Sequence, residues 1–134
     1  MSQDTVADLL SGLRNAYESG RQEVRVPFSS FGWGLVEILV KEGYLAKVKK
    51  VEARKGISEL LIGLNKSGND EKKKVIGKVD RLSRPGVRRY VSAGELADYN
   101  RRLGVVVIST SRGLMTAKEA ASKNLGGELI CRVW

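Results

Sequence analysis

A run of seven turn-forming residues, Asn65 to Glu71, interrupts this 134-residue chain near its middle. Helical and strand patterns alternate before the run, whereas the pattern after it is mainly that of short strands. The segment before the run is long enough to enclose one small hydrophobic core. We therefore predict two domains, residues 1–72 and 73–134. The fold class that follows is α+β, with an N-terminal α-β-α-β-β unit packed against a mostly antiparallel-β C-terminal unit that carries short helices.

The first domain is predicted to contain two helices and three strands. Apolar residues at 3.6-residue spacing predict an amphipathic helix over residues 5–18. Ser30 is a suitable N-cap for a second helix, which Gly43 ends. The predicted strands are Val24–Val26, Leu45–Val51 and Ile57–Leu64, and a short turn joins the last two in a hairpin.

The second domain is predicted to be mainly β. Pro85-Gly86 provides a tight turn between its first two strands, because Pro presets φ and Gly tolerates a positive φ. A weak helical turn is expected over Glu95–Arg101, and Thr116 is the N-cap of a short helix that ends near Asn124. The predicted strands are Val75–Leu82, Val87–Val91, Val105–Ile108 and Glu128–Val133.

The chain carries 24 basic and 15 acidic residues, and the basic excess is concentrated in the second domain. Residues 1–72 hold 11 basic and 10 acidic groups, whereas residues 73–134 hold 13 and 5. The densest stretch, Lys72 to Arg89, has eight basic residues against Asp80 alone. A solvated surface is the alternative explanation, but solubility does not require that charge be segregated. The pattern therefore favours a polyanionic partner for the second domain.

The residue inventory excludes most catalytic and metal-binding classes. Without histidine, the chain can form no Ser-His-Asp triad, no Cys-His nucleophile pair and no His-ligated zinc site. The single Cys131 excludes an internal disulfide, and no phosphate-loop or dinucleotide-binding motif is found. We therefore expect no enzyme activity, no cofactor, no metal and no small-molecule substrate.

The chain is also expected to be a cytoplasmic protein without a membrane partner. Its first ten residues include Asp4 and Asp8 but no Lys or Arg, unlike the start of a signal peptide. The longest plainly apolar run, Val105–Ile108, is far shorter than the roughly 20 residues that span a bilayer. An unpaired cysteine agrees with a reducing compartment.

Three hydroxyl residues directly follow the apolar run Val105–Ile108. The stretch Ser109-Thr110-Ser111-Arg112-Gly113 combines hydroxyl donors, a cation and a glycine that permits close approach of the backbone. Such a loop can bind phosphate and ribose oxygens, and the helix predicted after it would direct its positive N-terminal end to the same side. An ordinary polar loop that ends a strand is the alternative.

Two further residues of the second domain, Tyr90 and Glu128, each have more than one interpretation, and Cys131 has a structural one. Tyr90, within the basic stretch, can stack on a base or sugar, or lie at the edge of the core with its hydroxyl in solvent. Glu128 can orient a basic side chain, accept a hydrogen bond from a nucleic-acid donor, or be a plain surface carboxylate. Cys131 is interpreted as a small core residue.

Several spaced motifs resemble those of one known family. They are Arg81-x-Ser83-x-Pro85-Gly86-x-Arg88-x-Tyr90, Ser109-Thr110-Ser111-x-Gly113, Thr116-x-Lys118-Glu119-Ala120 and Lys123-Asn124-x-Gly126-Gly127-Glu128. On these motifs the chain is similar to bacterial ribosomal protein S-eight, the eighth protein of the small ribosomal subunit, from Asp4 to Trp134.

The resemblance implies a structural constituent of the small ribosomal subunit that binds the central domain of 16S-type ribosomal RNA and assists subunit assembly beside neighbouring ribosomal proteins. The alternative is a translational repressor that binds its own operon mRNA through the same surface. The residues that the resemblance places on the main RNA surface are Ser109, Thr110, Ser111, Gly113, Tyr90 and Glu128, and we add the basic residues Arg84, Arg88 and Lys123. A secondary contact on the first helix maps to Thr5, Asp8, Arg14 and Asn15.

Three departures from the usual pattern of the family lie in the first domain. Gly12 stands where members usually carry a basic residue, and Thr5 stands where Pro is common. Phe31-Gly32-Trp33-Gly34 replaces a Lys-rich helix start. Because this domain is also nearly neutral, we interpret it mainly as a scaffold with a weakened RNA contact.

Overall fold

An amphipathic helix opens the first of two units, Met1–Gly77. The computed structural model describes residues 4–65 and 74–134, and only the backbone of residues 4 and 5. The elements of this unit are α1 (Asp4–Glu18), β1 (Glu23–Pro27), α2 (Ser30–Lys41), β2 (Leu45–Arg54) and β3 (Ile57–Leu64). The antiparallel strand order is β1-β3-β2, which confirms the predicted β2–β3 hairpin.

The core of the first unit lies between its two helices and one face of its sheet. The side chains that form it are almost fully buried, and they include Leu9, Leu13, Leu35, Leu39, Leu60 and Ile62. Gly32 leaves room for the Ser29 side chain at the start of α2, since a Cβ on it would lie 2.8 Å from the Ser29 hydroxyl oxygen, whereas Leu60 Cδ1 at 3.5 Å would be in ordinary contact. The apolar residues that recur at helical spacing in α1 and α2 thus pack against those that alternate along β3, in the one small core that was predicted for this unit.

The N-cap of α2 is Ser29, and the prediction of Ser30 was wrong by one residue. Ser29 has an extended backbone, with φ of −147° and ψ of 150°, whereas Ser30 is already helical. The Ser29 hydroxyl accepts a hydrogen bond of 2.9 Å from the Gly32 N–H, which satisfies one of the free donors of the first turn.

Asn65 is a buried polar anchor and not an exposed turn residue. Its side-chain amide donates to the carbonyl oxygens of Gly43, at 2.7 Å, and Lys74, at 2.8 Å. Its backbone N–H donates to the Tyr17 hydroxyl at 3.3 Å, and that hydroxyl donates to the Tyr44 carbonyl. Burial raises the pKa of Tyr17, although the bond from Asn65 acts in the opposite direction. Asn65, the first residue of the predicted turn run, is therefore fixed to the first unit by hydrogen bonds.

The second unit, Lys78–Trp134, is built on a five-stranded antiparallel sheet. Strand β8 is central, because it pairs with β6 along one edge and with β4 and β5 along the other. The mixed α+β class is confirmed. The elements are β4 (Val79–Arg81), β5 (Tyr90–Val91), a 3₁₀ turn (Ala93–Glu95), α3 (Leu96–Asn100), β6 (Val105–Thr110), β7 (Gly113–Thr116), α4 (Ala117–Ser122) and β8 (Gly127–Val133).

Two predicted strands of this unit are shorter than expected. β4 begins at Val79 and not at Val75, and β5 begins at Tyr90 and not at Val87. β4 begins at Val79 because its register partner, Val133, is the last residue of β8, and β5 begins only at Tyr90 because the chain first turns at Arg84–Val87. The predicted domain boundary after residue 72 lies outside the described residues. None of the described helices is long and apolar enough to cross a bilayer.

Cys131 lies fully buried on β8, which confirms its interpretation as a core residue. Burial raises the pKa of its thiol to about 12. Since the thiolate is the reactive form, the folded protein at pH 8 should not react with a disulfide reagent such as DTNB, and one thiol should react after denaturation. Absorbance of the released chromophore measures this, and rapid labelling in native buffer would contradict it.

Candidate nucleic-acid interface

Strand pairing places Tyr90, Glu128 and Ser109 side by side across three strands. Glu128 on β8 is the register partner of Tyr90 on β5 and also of Ser109 on β6. Directly opposed residues of antiparallel strands share one face of the sheet, with their Cβ atoms about 4.5–5.5 Å apart. The structure therefore brings three predicted residues, far apart in the sequence, into one row.

A β-bulge in β8 decides which residues share this row. The register of β6 against β8 shifts by one position in mid-strand, and Ile130 is the extra residue on β8. If Ile130 were absent from the bulge and the register stayed unshifted, Thr110 and not Ser109 would lie opposite Glu128. Residues 129–131 are all buried, because the bulge breaks the alternation of side chains between the two faces.

Two glycines allow β5 and β6 to approach the start of β8. A Cβ on Gly126 would lie 2.4 Å from the Val91 carbonyl oxygen, and a Cβ on Gly127 would lie 2.1 Å from the Ser109 carbonyl oxygen. Both distances are far below van der Waals contact, so these positions admit glycine alone without movement of the backbone. The glycine pair is thus what lets Tyr90 and Ser109 flank Glu128.

Glu128 orients a basic side chain. Arg88 Nη1 donates to Glu128 Oε2 at 3.1 Å, with the Arg88 side chain 45% exposed and the Glu128 side chain 17% exposed. Pairs of this kind contribute only about 0.2–1 kcal/mol to stability. The effect of the pair is therefore mainly to hold the Arg88 guanidinium next to the row.

Tyr90 is an exposed residue, so the interpretation of it as an edge-of-core side chain was wrong. It is 69% exposed and lies two residues after Arg88 on a two-residue strand. An exposed aromatic ring beside cations is the arrangement that stacks on an unpaired base or a sugar.

The hydroxyl run forms the end of a β-hairpin, whereas the sequence indicated a loop. β6 continues through Thr110, Ser111 and Arg112 form the turn, and Gly113 begins β7 with φ of +104°. The sequence did not predict β7, because a four-residue strand in which apolar and polar residues do not alternate has no recognisable pattern. The Thr110 hydroxyl donates to the Gly113 carbonyl at 2.9 Å and accepts from the Arg112 N–H at 3.1 Å. The Ser109 and Ser111 hydroxyls have no hydrogen-bond partner within residues 4–65 and 74–134.

A second tight turn presents Arg84 to solvent. Arg84 and Val87 exchange two backbone hydrogen bonds of 3.0 Å, and Gly86 has φ of +81°, as the predicted turn requires. Ser83, which is buried, closes this segment because its hydroxyl accepts from the Arg89 N–H at 2.9 Å. Sequence analysis missed Ser83 as a positioning residue, although its place directly before the turn was a usable signal.

The family model for ribosomal protein S8 matches residues 4–134. The chain belongs to the ribosomal protein S8 family. This confirms the resemblance seen in the sequence motifs. As a member of the S8 family the chain is a structural component of the ribosome and not an enzyme, as predicted.

Individual relatives of the S8 family match over the whole chain. The "Small ribosomal subunit protein uS8" of Kosmotoga olearia is 41% identical over 135 residues, which cover 100% of both chains. The protein of the same name from Deinococcus deserti is 40% identical over 134 residues, and that from Methylacidiphilum infernorum is 37% identical over 134 residues. Both alignments again cover 100% of each chain.

The remaining predicted residues of this S8-family chain are Lys123 in the second unit and those on α1 in the first unit. Lys123, just after α4, forms an ion pair of 3.1 Å with Glu119. Asp8, Arg14 and Asn15 are exposed on α1 of the first unit, where Arg14 pairs with Glu18 at 3.3 Å. The side chain of residue 5 lies outside the described residues. The register therefore brings the β5, β6 and β8 residues together in the row, and these other residues are not members of it.

Proposed function

We propose that this chain binds the central domain of 16S-type ribosomal RNA and assists assembly of that part of the small subunit. The observation that carries the proposal is the row of Tyr90, Glu128 and Ser109, which combines an exposed ring, a carboxylate that orients a guanidinium, and a free hydroxyl. The relatives' name, "Small ribosomal subunit protein uS8", supports a place in the small ribosomal subunit, and a cytoplasmic location is part of this proposal. The partners are then ribosomal RNA and neighbouring small-subunit proteins.

Recognition in this proposal is divided between cations and hydroxyl groups. Arg84 and Arg88 neutralise phosphates, while the Ser109 and Ser111 hydroxyls bind sugar oxygens and base edges in the shallow groove of a distorted RNA helix. The Tyr90 ring stacks on a base or sugar. Because these groups lie on paired strands and tight turns, little backbone entropy is lost when RNA binds.

Ser109→Ala or Ser111→Ala should weaken binding of a central-domain rRNA fragment about two- to tenfold, since a lost hydrogen bond costs about 0.5–1.5 kcal/mol. Binding of an unrelated RNA should hardly change, because a serine hydroxyl carries no charge. The comparison variant is Lys78→Ala, which removes an exposed cation and should weaken both RNAs about equally. Filter binding at one salt concentration measures all three. Equal losses on both RNAs for every variant would refute a role of the hydroxyls in specificity.

The same surface would serve the alternative function, repression of the operon mRNA of this protein. An mRNA that mimics the ribosomal site would contact the same row, so both functions need the same residues. Crosslinking in growing cells separates them. Ribosomal RNA should dominate the crosslinked reads if the structural role prevails, and leader mRNA should dominate if repression does.

A further inference from the structure

A small pocket opens in the first unit where α1, the end of β1 and the start of α2 meet above β3. Its volume is about 180 Å³. A cavity of about 150 Å³ is large enough to hold benzene, so this one has room for a small organic molecule. Its lining includes Asp8, Leu9, Val26, Ser29, Gly32 and Leu60, and it is here called the α1–α2 pocket.

The inner walls of the α1–α2 pocket are apolar. Leu60 is fully buried and Leu9 is almost so, while Val26 is half-buried. Gly32 has no side chain to cover them, and a Cβ on it would already contact Leu60 Cδ1 at 3.5 Å and Leu9 Cδ2 at 3.6 Å. A larger side chain at position 32 would therefore compete with a ligand for these walls. As it stands, the pocket can take up an apolar group.

The polar groups of the pocket are suited to a ligand that donates hydrogen bonds. Asp8, as a carboxylate, can only accept. The Ser29 oxygen accepts from the Gly32 N–H at 2.9 Å and has a second lone pair, and Pro27, which also lines the pocket, has no N–H. The Gly32 N–H is thus already used. An ammonium group fits this set of acceptors, whereas a carboxylate or phosphate would be repelled by Asp8.

The negative charge at the pocket is not compensated. The Asp8 carboxylate has no ion-pair or hydrogen-bond partner within residues 4–65 and 74–134. By contrast, Glu18 and Glu59 of the same unit each pair with an arginine. Among the described residues, no Lys or Arg lines the pocket, although the chain carries 24 of them against 15 acidic residues. An unpaired carboxylate beside an apolar wall favours a cationic ligand.

We propose that the α1–α2 pocket binds a small free organic amine, in which an apolar chain or ring of about five or six carbons carries one primary ammonium group. The apolar part lies against Leu9 and Leu60. The ammonium group stays at the rim, in contact with water, and donates to the Asp8 carboxylate and the Ser29 oxygen. A lysine side chain, with its four-carbon stem, would leave part of the cavity empty. The inference is independent of the proposed function, since it involves no RNA.

Three ligands of one length and different charge test the proposal on the whole chain. They are n-pentylammonium, 1-pentanol and pentanoate, and their binding is followed at neutral pH by the amide shifts in ¹H–¹⁵N NMR spectra. Pentylammonium should bind with a Kd in the millimolar range, as is usual for a ligand of about six nonhydrogen atoms. Pentanol should bind more weakly and pentanoate weakest. The largest shifts should be those of Leu9, Gly32 and Leu60.

Two variants separate the charge of the site from its space. Asp8→Asn should weaken binding of pentylammonium about 1.5- to fivefold, the range of an exposed ion pair, and reduce its preference over pentanol by the same factor. Glu37→Gln removes another exposed carboxylate of this unit and is the control. Gly32→Leu should abolish binding of both ligands. Its control is Gly12→Leu, since no atom lies within 4 Å of a Cβ on Gly12. Circular dichroism checks folding, and if Gly32→Leu does not fold, Asp8→Asn decides.

Three results would overturn the inference. The first is equal affinity for the three ligands, and the second is equal affinity of the unsubstituted chain and Asp8→Asn for pentylammonium. The third is tighter binding of Nα-acetyl-lysine methylamide than of pentylammonium, which would assign the pocket to a lysine side chain of a partner protein. Loss of the amine site would leave the proposed function intact, because binding of rRNA is measured separately.

Discussion

Tyr90→Ala is expected to weaken binding of the rRNA fragment about 5- to 150-fold, because the stacking of a base on an aromatic ring contributes about 1–3 kcal/mol. The melting temperature should hardly change, since Tyr90 is 69% exposed and its ring is not part of the core. Filter binding measures the first effect, and thermal unfolding followed by circular dichroism measures the second. A large loss of affinity with intact stability would identify the ring as a direct contact.

Tyr90→Phe is the matched variant, because it keeps the ring and removes the hydroxyl. It should bind within about twofold of the unsubstituted chain if stacking is the main contribution. A loss as large as that of the alanine variant would show that the hydroxyl, and not the ring, makes the contact. Unchanged binding by the alanine variant would remove Tyr90 from the interface.

Gly127→Ala should destabilise the second unit by about 2–3 kcal/mol, the cost of forcing an extra carbon into a well-packed region. The added Cβ would lie 2.1 Å from the Ser109 carbonyl oxygen, so β6 must move away from β8. At about 4–8 °C for each kcal/mol in a small domain, the melting temperature should fall by about 10 °C or more. Binding of rRNA should weaken as well, because Ser109 would no longer lie opposite Glu128.

Gly94→Ala is the control for this substitution. It adds the same methyl group within the same unit, but no atom lies within 4 Å of the new Cβ. The melting temperature should therefore change little. If Gly127→Ala were as stable as Gly94→Ala, the close approach of β6 to β8 would not be a constraint on this fold.

The elements that could be predicted from the sequence are those with a long local pattern. Helix α1 and strand β3 repeat their apolar residues at the helical and the strand period, and both occur where predicted. The strands around the Pro85-Gly86 turn were predicted too long, because their ends depend on which part of β8 remains free to pair. Strand β7 was missed because its pairing with β6, and not its own composition, makes it a strand.

The charge of the first domain shows a different limit. Averaged over residues 1–72 it is +1, and this average concealed the net +4 of residues 45–56. A shorter window along the sequence would have revealed the excess. Four of the five basic residues in this stretch lie exposed on edge strand β2, and within residues 4–65 and 74–134 none of the four has an ion-pair partner, which depends on where the acidic residues fold and is not shown by the sequence. They are Lys47, Lys49, Lys50 and Arg54.

By itself the sequence determined the family, the α+β class and the residue types of the candidate interface, because motifs, periodicity and residue types are local properties. Only the tertiary structure decided which groups meet. One extra residue in β8 changes the register and places Ser109, not Thr110, opposite Glu128. One hairpin turn uses the Thr110 hydroxyl internally and leaves those of Ser109 and Ser111 free. Register and hydrogen-bond partners are set by pairing between distant segments, so no local pattern contains them.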